Sequence, residues 1–113
     1  EFMKLLVLIL NKTECMENLL IKLGEGGIKG ATILESTGMA RAIGDLEVLS
    51  FFGSLRMVLD PQHTTSKTIL IVVEDDHVEI AKEIINEATG GIDKPDTGIL
   101  IGLPILFAEG VTH

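Results

Sequence analysis

The chain has 113 residues, 46% hydrophobic and 23% charged, with no Trp and no Tyr. That length and apolar content suit one domain with a real core and exclude wholesale disorder. Seventeen acidic against nine basic side chains leave a net charge of −8. So negative a surface repels phosphate backbones and excludes nucleic acid as a partner.

Glu1-Phe2 ahead of Met3 reads as a vector-derived remnant, so a single domain is taken as residues 3–113. Met3-Lys4 and the apolar Leu5–Leu10 look like the start of a secretory signal. The apolar run is only six residues long, below the roughly 7–15 of a signal core, and no small-residue cleavage site follows. Ile99–Ala108, interrupted by Gly102 and Pro104, is far short of the ~20 residues a spanning helix needs. The single Cys15 has no internal disulfide partner and fits a reducing compartment, so a cytoplasmic location is expected.

In chain order, residues 4–10 read as a strand buried on both faces. Asn11 offers an N-cap with Glu14 as the partner of a capping box. Met16, Leu19, Leu20 and Leu23 then repeat at i, i+3, i+4, i+7, which predicts an amphipathic helix over 13–24. Gly24, Gly26 and Gly27 end it. Ala31–Thr37 alternates imperfectly and suits a second, more exposed strand, and Lys67–Val73 is β-branched enough for a third. Asp76 with Glu79 is a second capping box, opening a helix that buries Val78, Ala81, Ile84, Ile85 and Ala88 until Gly90-Gly91 stops it. Ile99–Ile101, extended toward Phe107, makes a fourth strand.

The order β-α-β-β-α-β with right-handed crossovers predicts an α+β ferredoxin-like sandwich: a four-stranded antiparallel sheet with two helices on one face. With only one face covered, the strands should alternate. They do not: Leu6, Leu8 and Leu10 point one way and Leu5, Val7 and Ile9 the other. The uncovered face exposes a patch larger than soluble monomers tolerate. Self-association is the simplest cover; the alternative is that Leu103–Val111 folds back over the face.

The segment 38–66 is about twice the ~12–15 residues of common structureless loops, which points to function. Phe51 and Phe52 lie side by side in it, among Arg41, Asp45, Glu47 and Arg56. They suit a sticky, partner-binding tip; Val48–Phe52 and Leu55–Leu59 alternatively form a small hairpin packed on the body.

No catalytic constellation emerges. There is no nucleophile–base pair, no Walker A loop, no G-x-G-x-x-G, and no H-x-x-x-H or C-x-x-C spacing for a metal. His77 reads as a surface residue near a helix start, and Asp75-Asp76 as acids favoured by the helix dipole. The chain is not expected to be an enzyme. The glycine turns say more. Gly38-Met39-Ala40-Arg41 follows the second strand, and the run from Gly90 to Gly98 precedes the fourth. Glycines let backbone N–H groups approach a ligand, with Arg41 or Lys94 as the cation for an anion. Ordinary turns are the alternative, with Pro95-Asp96 at the centre of a type I turn and Gly98 at its exit.

Gly27-Ile28-Lys29-Gly30-Ala31-Thr32 and Thr37-Gly38-Met39-Ala40-Arg41 resemble the second-strand signature of the PII signal-transduction family. The element order, the long loop between strands two and three, and Thr89-Gly90-Gly91-Ile92 after the second helix are similar too. The likeness covers nearly all of residues 3–107. It implies a homotrimer of ferredoxin-like subunits, of a family associated with nitrogen regulation, that binds adenine nucleotides in intersubunit clefts, often together with 2-oxoglutarate. It also implies a long T-loop, here 38–66, that docks onto an enzyme, transporter or regulator. Carried over by position, Thr32 would sit near the adenine, and Gly38 and Arg41 at the base of the T-loop, with Arg41 toward the phosphates. Gly90 and Gly91 would belong to the loop that wraps the phosphates, and Lys94 is the nearest match to that loop's lysine.

The chain also departs from the family. The T-loop tyrosine that some members have uridylylated is missing, leaving Ser50 and Ser54 as the nearby hydroxyls. The lysine expected just before the third strand has no clear match, Ser66-Lys67 being the nearest pair. Two arginines that many members place on or after the fourth strand have no counterpart, because Leu103–Glu109 contains no base. Each lost charge-assisted bond to a triphosphate is worth roughly 1.5–3 kcal/mol, so ADP or AMP, or a different small molecule, suits the chain better than ATP. A second reading is a trimeric ferredoxin-like metal-binding protein with Asp45, Glu47 and Asp60 as hard ligands.

Overall fold

The computed structural model describes residues 3–39 and 65–111. Strand β1 spans Met3–Leu10, helix α1 Met16–Glu25, β2 Thr32–Ser36, β3 Ser66–Glu74, helix α2 Val78–Thr89 and β4 Gly98–Pro104. All pairings are antiparallel, in the order β2-β3-β1-β4. This is the ferredoxin-like arrangement predicted from the order of elements.

The register decides which side chains meet the helices. Leu6, Leu8 and Leu10 of β1 and Ile69, Ile71 and Val73 of β3 are buried, because they share the pleat that faces α1 and α2. Leu19 and Leu23 of α1 and Ala81 and Ile85 of α2 meet them. Met16, Val78, Ile84, Ala88 and Leu100 pack around this core. The helical periodicity therefore identified the buried stripes, except that Leu20 is only partly buried and lies outside this core.

The other face of the sheet is largely bare. Leu5 pairs with Leu103, Val7 with Ile101 and Ile9 with Ile99 on one side of β1; Leu70 and Val72 flank them on the other. Ile99 is 56% exposed, Ile101 40%, Leu103 43% and Val72 37%. The C-terminal segment covers them only in part: Gly110 and Val111 reach Leu70 and Val72, with which they line one cleft. Leu106 and Phe107 are themselves 96% and 78% exposed, and β4 stops at Pro104 rather than reaching Phe107.

Several local expectations need correction. Neither α-helix starts directly at Asn11 or Asp76. Each opens through a 3-10 turn, Thr13–Cys15 before α1 and Asp75–His77 before α2, and the residues at those starts make no side-chain cap hydrogen bond. The tighter turn satisfies backbone groups locally. Gly24 lies inside α1, which ends at Gly26 instead. Asp96 has φ +60°, the left-handed region that the third residue of a type I turn does not occupy. Gly90, at φ +82°, caps α2 as expected. Arg41, Asp45, Glu47, Phe51, Phe52 and Asp60, with the proposed 48–59 hairpin, lie outside the described residues.

Candidate functional site

The residues singled out from the sequence fall into two groups. Ser36 pairs with Ser66, and Leu10 with both Lys67 and Gly98, so the C-terminal ends of β1 and β2 and the N-terminal ends of β3 and β4 share one end of the sheet. Gly38 follows β2 at that end. Gly90, Gly91 and Lys94 stand there too, in the connection from α2 to β4.

At the β2 side of this end, three hydroxyls are linked. Thr68 Oγ1 donates to Ser36 Oγ at 2.9 Å, and the hydroxyls of Ser36 and Ser66 lie 2.7 Å apart. Lys67 pairs with Glu35 beside them. Both strand ends from which the long segment leaves are thereby fastened together. Lys67 lies within β3 rather than before it and is engaged with this carboxylate, which competes with any role toward an anion.

The connection from α2 to β4 is held from both sides by the corner after β1. Asn11 and Lys12 N–H both donate to the Thr97 carbonyl, at 2.9 and 3.2 Å, and Lys12 Nζ donates to the Thr89 carbonyl at 3.2 Å. Inside it, Gly91 N–H donates to Thr89 Oγ1 and Ile92 N–H to Asn86 Oδ1. Gly90 and Gly91, at φ +82° and +120°, follow a path that a side chain resists. Lys94 lies along Gly91, its Cε 3.4 Å from where a Cβ would stand.

Thr32 lies elsewhere. It pairs with Leu70, four positions along β2 from Ser36, or ~13 Å at strand spacing. It lines a cleft of about 660 Å³ between the Gly27–Thr32 stretch, the C-terminal half of β3, His77 and the Gly110-Val111 backbone. Apolar Leu70 and Val72 form a wall, and Glu74, Lys29 and His77 bring polar groups to it. Strand β2 is one edge of the sheet and β4 the other, with two strands between them. At ~4.8 Å per strand, a sheet's width separates Thr32 from the β4 side, to which the glycine turn leads. The structure thus joins Gly90, Gly91 and Lys94 in one turn, sets Gly38 at the same end, and leaves Thr32 apart.

Two features escaped the sequence reading. Lys12 went unremarked, although its place two residues after β1 sets it beside the start of β4 in this topology. His77 is not simply a surface residue. It is half-buried at the cleft, its Nδ1 is 3.0 Å from Asp76 Oδ1, and Glu74, Asp76 and His77 offer donor atoms within 4.8 Å of one another. The two carboxylates are exposed and precede α2, where helix N–H groups favour negative charge; that placement accounts for them without a metal.

No family model matches the chain, and no curated protein sequence matches it. Among solved structures it is similar to the crystal structure of Arabidopsis thaliana PII bound to citrate, with a TM-score of 0.64 and 17% sequence identity over 93% of this chain and 78% of that one. At this level of identity the likeness concerns the fold.

Proposed function

We propose that this chain is the subunit of a non-catalytic, PII-like regulator. Three copies enclose their bare sheet faces, an adenine nucleotide binds in the clefts between them, and its occupancy sets the affinity of the 38–66 segment for a target protein. The observation that carries this reading is the apolar face left largely uncovered on a fold shared with a PII protein. Ile99, Ile101, Leu103 and Val72 are partly open to water, and symmetric burial against further copies removes that cost.

The divided site supports the same reading. One chain holds Thr32 and the glycine turn too far apart for one small ligand, whereas two chains side by side bring the β2 side of one to the turn of the other. The apolar wall of Leu70 and Val72 suits a base, and the glycine turn with its lysines suits phosphate. With few cations present, ADP or AMP is the preferred effector. Binding acts by population shift, because ligand at the base of the long segment favours one of its arrangements.

The test joins light scattering to a thermal-shift screen of ATP, ADP, AMP, cyclic nucleotides, 2-oxoglutarate, bicarbonate and citrate. A trimer is expected, with one nucleotide raising Tm by several degrees; a ligand at a hundred times its Kd stabilises by about 2.7 kcal/mol. A monomer at micromolar concentration overturns the assembly and the clefts with it. Stoichiometric bound metal with no nucleotide response replaces this reading by that of a metal-binding trimer.

A further inference from the structure

We infer that Lys12 supplies the cation that holds the effector's phosphoryl group against the Gly90–Gly91 turn. The assignment rests on the nucleotide reading above and names a residue and a charge class for it. The chain lacks basic residues from Leu103 to Glu109, so the positive charge must come from another element. Among the described lysines, Lys4 pairs with Asp75, Lys67 with Glu35 and Lys82 with Glu79. Lys12 is placed differently. Its ammonium lies 3.8 Å from where a Gly90 Cβ would stand, directly beside backbone that carries no side chain.

Three further observations favour a binding role. The Lys12 backbone is fixed, because its own N–H and that of Asn11 both bond the Thr97 carbonyl. The lysine stem therefore starts from one end of the 90–97 connection while its ammonium reaches the other, at Thr89. An ammonium carries three donors, and the Thr89 carbonyl takes one. Lys94 lies along the neighbouring Gly91. Two lysines thus lie beside two glycines of positive φ, and their charge of +2 matches a nucleoside mono- or diphosphate better than a triphosphate. A lysine that merely closes the end of α2 needs only its one bond to Thr89, and that alternative is separable.

The experiment is calorimetric titration of the full chain, as wild type, Lys12→Gln and Lys12→Arg, with ADP and with adenosine at low and moderate salt. The glutamine keeps a donor for the Thr89 carbonyl and removes the charge. Lys12→Gln is expected to weaken ADP about tenfold, leave adenosine unchanged and flatten the salt dependence, while Lys12→Arg retains most of the affinity. If wild type binds ADP and Lys12→Gln binds it equally, the assignment falls and the nucleotide reading stands. Equal loss of ADP and adenosine in Lys12→Gln also overturns it, in favour of a purely structural lysine. Wild type that binds neither ligand overturns both. Should Lys12→Gln fail to fold, the arginine variant decides: retained ADP affinity with wild-type salt dependence supports the charge, and loss of ADP binding in a folded Lys12→Arg overturns it.

Discussion

Gly98 opens β4 opposite Leu10, and a Cβ built there overlaps the Ile9 carbonyl oxygen. The obstacle is backbone, which cannot swing aside as a side chain can. Gly98→Ala is therefore expected to destabilise the protein by about 2–3 kcal/mol, read as a lower urea midpoint at fixed protein concentration. Gly90 is sensitive for a different reason. Its surroundings are roomy, but at φ +82° an alanine loses about 1 kcal/mol to strain, with little change in packing. Gly98 itself has φ +157°, so its substitution combines steric overlap with backbone conformation, whereas Gly90→Ala tests backbone conformation alone. From the sequence, both glycines read as turn punctuation; that one of them is pressed against a neighbouring strand depends on pairing distant in the chain.

At the scale of elements, the strands and helices were legible because each carries its periodicity within a few residues. Leu19 and Leu23, or Ala81 and Ile85, show their common face in the sequence itself. The helix starts were not legible. Asn11 with Glu14 and Asp76 with Glu79 have capping-box spacing, yet a 3-10 turn forms in both places. That preference is set by how the chain leaves the sheet, and spacing alone does not encode it. Strand β1 is central in the sheet and carries Leu8 at 0% exposure, between Ile69 and Leu100 in register. Leu8→Ala is expected to cost about 2–5 kcal/mol, and denaturant unfolding checks this. The Ser36–Ser66–Thr68 hydroxyls contribute less. Replacing Ser66 by Ala removes a buried partner worth about 1 kcal/mol, and amide exchange should quicken first at the β2–β3 end.

For the whole molecule, the bare face makes the sharpest claim. Ile101→Glu places a charge at the middle of the apolar patch, opposite Val7, while touching none of the buried core. It is expected to convert the assembly to monomers that keep wild-type far-UV circular dichroism, and light scattering checks it. A variant that still assembles shows that the patch is not the contact. Arg41→Ala should leave assembly intact and weaken nucleotide binding; unchanged affinity by calorimetry removes Arg41 from the site. The site itself was only partly legible. Gly90, Gly91 and Lys94 cluster because they are neighbours in sequence, and Gly38 joins their end through strand topology. Lys12 was invisible, since its nearness to Thr89 spans 77 positions and exists only once β1 and β4 pair.

The rims of the sheet bear on the kind of assembly proposed above. Among the described residues β2 pairs with β3 alone and is only five residues long, with Glu35 on it, and β4 ends in Pro104, which has no amide proton to offer. Short, charged or proline-terminated rims discourage the lateral zippering of strands from one molecule to the next. A protein with this much exposed aliphatic surface would otherwise risk growing into fibrils. With that route discouraged, the assembly proposed above would stack broad surfaces about a symmetry axis, a geometry that saturates after a few copies and stops.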